Sequence, residues 1–282
     1  MAEPLFDVIV IGAGVAGLTA AAALDRAGLR ICCIESRDRI GGRILTVHDP
    51  LSPIAIELGA EFIHGRPAEL WSLAADAGLA LCEIPDRGGD SPLDRVMDEL
   101  GKRPDDQPDE SFQSFLDRGD YSDAERAAST GFVEGFNAAR KDDVSALWLA
   151  YESRASDAIE GDRSFRVLGG YDQVPLALYR KVRLSTAAER IEWRRGEVTV
   201  HAGSTLRARA VLVTVPLGVL QSGAIRFDPA PGAILEAAGR LCCRQALRLA
   251  LRFEKPFWDR AFYFSDEPEF PTWWTPLPVH AR

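Results

Sequence analysis

An unbroken apolar run, Val8-Ile9-Val10-Ile11, passes straight into Gly12-Ala13-Gly14-Val15-Ala16-Gly17 and then into an alanine-rich stretch that stops at Gly28. This order leaves little freedom of fold. Four consecutive apolar residues suit a parallel strand buried on both faces. Gly12 permits a tight turn, Gly14 lets the backbone approach a pyrophosphate, and Gly17 lets a helix pack closely on the strand. Thr19 to Ala27 is rich in helix formers, with Gly28 as the stop. Arg30-Ile31-Cys32-Cys33-Ile34-Glu35 reads as a second strand whose acid lies 18 residues beyond Gly17. A glycine triplet alone says little. With a strand before it, a helix after it and an acid ending the next strand, it specifies a β-α-β unit that binds a dinucleotide. Phosphates suit the unpaired N–H groups and partial positive charge at the helix start. The Glu35 carboxylate suits ribose hydroxyls and disfavours a 2′-phosphate, which argues against NADP.

The 282 residues give room for two modest lobes or one large domain, and 46% hydrophobic with 27% charged residues is ordinary for a soluble globular chain. No apolar run approaches the roughly 18 residues of a membrane span. An acidic N-terminus that enters a strand at once is unlike a signal peptide. Five cysteines, four of them in the adjacent pairs Cys32-Cys33 and Cys242-Cys243, match neither a disulfide framework nor a metal site. A cytoplasmic location is expected. A net charge of −9 argues against nucleic acid as a partner. Much of that charge is local, with 13 acids against 6 bases between Asp86 and Arg126. The segment reads as a solvated helical surface or as a field that steers a cationic substrate.

Beyond the first β-α-β unit, Ile54 to Leu58 is a short strand, and from Pro67 to about Arg163 the pattern is helical. Leu70, Leu73 and Ala77 share one face, Phe112, Phe115 and Leu116 a second, and Phe132, Phe136 and Ala139 a third. Asp86 to Glu110, with three prolines and many acids, is expected to be an irregular loop. Strands return at Arg190 to Trp193, Glu197 to His201 and Ala210 to Val215, the first two joined by the turn Arg194-Arg195-Gly196. Leu247 to Phe253 alternates like a half-buried strand.

In five places the chain resembles the flavin-containing amine oxidase family, which includes monoamine and polyamine oxidases. They are the glycine triplet with Glu35, then Glu35-Ser-Arg37-Asp-Arg39-Ile-Gly41-Gly42-Arg43, then Leu58-Gly59-Ala60-Glu61-Phe62-Ile63-His64-Gly65. Val213-Thr-Val-Pro216-Leu-Gly-Val-Leu220 and Leu251-Arg-Phe-Glu-Lys-Pro256-Phe257-Trp258 complete the series. The resemblance implies an α/β fold of two lobes: a Rossmann-like FAD-binding domain with an inserted, discontinuous helix-plus-sheet substrate domain. Residues 1–65 and 165–222 would form the FAD domain, and 66–164 with 223–282 part of the substrate domain. Gly12, Gly14, Gly17, Glu35, Arg37, Gly41, Gly42 and Arg43 would hold the cofactor, together with Gly59, Ala60, Glu61 and Phe62 along the isoalloxazine ring. Ala188 stands where a backbone N–H and C=O read the adenine. Leu168-Gly169-Gly170 reads either as the return to the FAD domain or as a simple turn. His64 reads as a substrate contact or as a residue that holds its own loop.

The implied reaction oxidises the C–N bond of a primary or secondary amine by hydride transfer to flavin N5, with dioxygen as acceptor. The cofactor carries that chemistry, so neither a nucleophilic triad nor a metal is needed. Two departures stand out. Alignment on Pro256-Phe257-Trp258 puts Arg248 at the family's catalytic lysine, and an arginine keeps the charge but is never deprotonated. One register step turns Arg248 to solvent instead. Second, the family extends by about 150 residues past the position of Arg282, an expectation in keeping with domain size. The chain thus reads as C-terminally truncated, with non-covalent FAD, and the missing part on another chain is the one macromolecular partner in prospect. Rival readings are a related flavoprotein desaturase or porphyrinogen oxidase, and an inactive FAD-binding fragment.

Overall fold

The computed structural model describes residues 6–85, 91–243, 246–264 and 272–278. The strand Phe6–Ile11 divides its side chains between two apolar layers. Ile9 and Ile11 join Cys32 and Ile34 of the strand Ile31–Ile34 on one face. Val8 and Val10 join Cys33 on the other, under Leu18 and Ala21 of the helix Val15–Arg26. Cover on both faces is why these strands carry no polar alternation. Burial, more than the neighbouring Cys32 and Glu35, pushes the Cys33 thiol up to about 12. The helix begins at Gly14 and ends where Gly28, at φ +77°, donates to the Asp25 carbonyl.

Seven strands form one sheet in the order Arg226–Asp228, Arg190–Arg194, Glu197–Ala202, Ser204–Val213, Phe6–Ile11, Ile31–Ile34 and Val182–Arg183. Phe6–Ile11 has a parallel neighbour on each side, whereas residues 190–213 form an antiparallel meander. The expected hairpin turn is present, with Gly196 at φ +80°. The third strand of the meander starts at Ser204 and not at Ala210, and it ends at Val213. Its early part, for which no strand was expected, alternates buried Leu206 and Ala208 with exposed arginines.

The α/β class is as expected, and the chain forms two compact units. Met1–Glu61 with Gly169–Cys243 holds the large sheet, and Phe62–Leu168 with Arg244–Arg282 makes the second. In the second unit, Val96, Leu100, Phe112, Leu116, Val133 and Leu149 form a helical core. Beside it Phe62–His64, Ser164–Val167 and Leu81–Glu83 form a three-stranded antiparallel sheet.

Four expectations for this unit and its neighbourhood are corrected. The supposed loop of residues 86–110 contains the helix Pro92–Gly101, started by a Ser91–Asp94 capping box with Pro92 in the first turn. The helix Asp123–Gly135 buries Ser129 and Val133, leaving Phe136 past its end and 53% exposed. The strand expected at Ile54 to Leu58 is reduced to Ile56–Glu57, paired with Thr46–Val47. No strand forms over the described part of 247–253, where Leu247 is 85% and Leu251 62% exposed. Alternation supplies one apolar face, but a strand also needs a neighbour for its backbone groups, and none of the described strands pairs there.

Replacing the fully buried Leu149 by alanine should cost about 2–5 kcal/mol in urea unfolding. Thiol labelling of the native chain should modify the exposed Cys242 and Cys243 quickly, while Cys32 and Cys33 react only after denaturation.

Candidate cofactor site

The glycine turn is set by what it excludes. Gly12 has φ +103°, and a Cβ on it would fall 2.9 Å from Thr214 Oγ1. A Cβ on Gly17 would lie 1.9 Å from the Gly12 carbonyl oxygen, so the helix rests directly on the turn. Thr214 seals the contact: its N–H donates to the Ile11 carbonyl (2.9 Å), and its hydroxyl lies 3.0 Å from that oxygen and 3.2 Å from the Gly12 oxygen.

A second glycine run meets the first backbone to backbone. Gly41 N–H donates to the Ala13 carbonyl at 2.8 Å, and Gly14 and Gly41 form a parallel bridge. A Cβ on Gly42 would come within 3.1 Å of Gly14 Cα, but one on Gly14 would meet only Gly42 Cα, at 3.9 Å. Gly41 and Gly42 adopt φ +101° and +59°. Arg39 holds this strained loop by donating to the carbonyls of Ile40 (3.2 Å), Gly42 (3.1 Å) and Ile44 (3.0 Å). Arg37 adds a bond to the Gly42 carbonyl at 3.2 Å. Arg43 is exposed, and among the described residues its guanidinium makes no hydrogen bond or ion pair.

Glu35 is buried at the end of its strand. Its carboxylate accepts from the N–H of Ala13 (2.8 Å), the N–H of Arg37 (3.0 Å) and the Ser36 hydroxyl (3.2 Å). A carboxylate offers about four acceptor positions, so capacity for a further donor remains. Ala188 packs partly buried against the sheet core. Its N–H and C=O take no hydrogen bond from the described residues, although the flanking Thr186 and Glu189 N–H groups are paired.

The next arm begins with Gly59, whose Cβ would fall 2.1 Å from the Arg43 carbonyl oxygen. Ala60 N–H donates to that same oxygen at 3.1 Å. Glu61 ends the first unit. Phe62 and His64 belong to the second unit. There Phe62 packs against Phe262 and Trp274 with ring centroids 5.6 and 5.8 Å apart, and the Arg166 guanidinium lies 5.1 Å above its ring. His64 meets the Phe136 ring edge-on at 5.4 Å, with Nδ1 3.4 Å from Ser164 Oγ. The Arg248 guanidinium lies 4.8 Å over the Trp274 ring, in the same aromatic group as Phe62.

These features suit the ADP half of a dinucleotide. The floor between Gly14 and Gly42 carries no Cβ, so phosphate can approach the backbone. The helix Val15–Arg26 has no side-chain cap and no acid in its first turn, which leaves its end N–H groups to an anion. Glu35 keeps acceptor capacity, and the backbone edge at Ala188 takes part in no hydrogen bond among the described residues. Two contributors lay outside the sequence-derived site list. Arg39 stood inside a quoted motif, and its spacing to Gly42 was the available signal. Thr214 has no local signal, because its role depends on a strand pairing across the sheet.

A Gly17→Ala chain should lose several degrees of melting temperature, since the added methyl meets a backbone carbonyl. Gly14→Ala should melt close to the parent protein, and equal losses for both would contradict this packing.

The sequence profile of the family described as "Flavin containing amine oxidoreductase" matches residues 15–143 and 102–276. Polyamine oxidase 2 of Arabidopsis thaliana is 28% identical to the chain, over 92% of the chain and 61% of that protein. Lysine-specific histone demethylase 1 homolog 2 of rice is 32% identical, over 90% of the chain and 38% of that protein. Among solved structures, cyclohexylamine oxidase from Brevibacterium oxydans superposes with a TM-score of 0.71 at 27% identity, covering 84% of the chain and 63% of that enzyme. The chain thus spans less than two thirds of the length of these relatives. It belongs to the flavin-containing amine oxidoreductase family.

Proposed function

We propose that the first unit binds FAD non-covalently and that the chain is the cofactor-binding part, with some of the substrate-binding part, of an amine oxidase. The substrate would be a primary or secondary amine and the acceptor dioxygen. One observation carries the reading: two glycine runs meet with no Cβ between them, flanked by Glu35 and by Arg43. The names of the relatives support it, since polyamine and cyclohexylamine oxidases both act on amines.

Bound FAD supplies the two-electron acceptor for the carbon beside the amine nitrogen. Every other task falls to the polypeptide. Glu35 takes a ribose hydroxyl, Gly12, Gly14 and Gly17 leave the helix N–H groups open to the diphosphate, and Arg43 balances its charge. Arg37 and Arg39 keep Gly41 and Gly42 in their left-handed conformations. Ala188 offers the adenine a donor and an acceptor. Gly59, Ala60, Glu61 and Phe62 would run along the flavin, with His64 and Arg248 toward the amine. The Arg248 guanidinium can orient a water or an anion but stays charged at neutral pH, so it cannot serve as a base. No described helix is long and apolar enough to cross a membrane. The net charge of −9 disfavours nucleic acid as a partner, and small-molecule partners are proposed.

A second reading, FAD binding without turnover, is favoured by the exposed side chains of Leu247 and Leu251. Titration with FAD, followed by quenching of flavin fluorescence, tests the shared part of both readings. Glu35→Ala should weaken binding about tenfold or more, the scale of one lost charged hydrogen bond, and Gly14→Ala should weaken it by setting a methyl where the phosphate approaches the backbone. Wild-type protein that leaves FAD fluorescence unchanged would end both readings. Amines added without oxygen then separate them: bleaching of the flavin, followed by peroxide on admitting air, marks an oxidase.

A further inference from the structure

A part-buried polar chain ties the arm of residues 43–60 to the segment that begins at Gly169. Thr46 and Glu57 sit opposite each other in the two-stranded pair. The Thr46 hydroxyl donates to Glu57 Oε2 at 2.6 Å, and the other carboxylate oxygen accepts the Tyr171 N–H at 2.7 Å. The Thr46 oxygen in turn accepts the Asp172 N–H at 3.1 Å. Asp172 Oδ2 reaches His48 Nε2 at 2.9 Å. Gly170, at φ +121°, makes the closure possible, because a Cβ there would lie 2.6 Å from Asp172 Oδ1 and 3.0 Å from Thr46 Cγ2.

The backbone N–H of Asp172 can only donate, so the Thr46 oxygen accepts there while its proton faces Glu57 Oε2. The N–H of Tyr171 can only donate as well, so Glu57 accepts on both oxygens. Glutamine at 57 would offer one acceptor and turn an NH2 toward a donor. Valine at 46 keeps the shape and removes both bonds of the hydroxyl.

The clasp ends where the arm meets the cradle. Leu58 and Gly59 N–H groups donate to the Leu45 carbonyl (2.7 and 3.2 Å), and Ala60 N–H donates to the Arg43 carbonyl. The glycine turn of residues 12–17 and Glu35 take no part in it. The geometry points to Thr46 and Glu57 as positioning residues: they hold the arm against residues 170–172 so that Gly59 and Ala60 serve the flavin-side half of FAD, while the ADP half is held without them. This rests on the proposed FAD binding.

The test uses the full chain with Thr46→Val, Glu57→Gln and Thr46→Ser. Thr46→Val and Glu57→Gln should weaken FAD about tenfold, as expected for lost hydrogen bonds to a charged group, and leave ADP within about twofold. Thr46→Ser, which keeps the hydroxyl, should restore FAD binding. Equal loss of FAD and ADP, or no loss of either, overturns the assignment. Hydrogen exchange on the FAD-free chain gives an independent readout. Thr46→Val should speed exchange of the Leu58, Gly59 and Ala60 amides and leave those of residues 14–18 unchanged, whereas unchanged exchange at 58–60 also overturns it. Failure of wild-type protein to bind FAD would instead remove the cofactor reading, and the exchange result would still decide whether the clasp holds the arm.

Discussion

The Gly12 carbonyl oxygen occupies the place where any side chain at residue 17 would have to sit. That one exclusion sets the approach of the helix Val15–Arg26 to the first strand, and with it the position of every helix N–H group that could meet a phosphate. The second glycine run is then located by a backbone bond to Ala13, and Glu35 closes on the same residue from the neighbouring strand. The cradle is therefore a product of backbone contacts, and the side chains around it secure a shape they do not create. Arg39, with three carbonyls in its fork, shows this division of labour.

The cradle was legible in the sequence because its determinants are local. Strand, turn, helix and acid lie within one contiguous stretch, and each has a residue type that nothing else replaces. The meander was legible at its hairpin for the same reason, through Gly196. Where pairing partners lie far apart, the reading failed. The strand start at Ser204 was missed because its first part is buried on one face only, and Leu247 to Phe253 looked like a strand because alternation says nothing about whether a neighbour exists. The helix Pro92–Gly101 was a different failure: its proline opens the helix, and counting prolines as loop-makers ignored the Ser91–Asp94 box around it.

The site divides along the same line. Glu35, the glycines and Arg43 gather in one unit as their spacing suggested. The residues assigned to the flavin and the amine fall on both sides of the boundary between units, with Glu61 and Phe62 adjacent in sequence but in different bodies. Thr46, Glu57 and Asp172 were invisible as a group, since only the folded chain brings a hairpin and a distant turn into one polar chain.

The first described strand lies between Ile31–Ile34, made soon after it, and Ser204–Val213, made after the segment Phe62–Leu168 of the second unit has intervened. Pairing of Ile11 with Val213 thus waits for about two hundred further residues to emerge from a ribosome. Until then the first strand has an open apolar edge, and the glycine turn lacks the Thr214 that seals it. Pairings so distant in sequence make for slow folding and prolonged exposure of such edges. The most recognisable part of this sequence is therefore complete in its residues long before it can be complete as a structure.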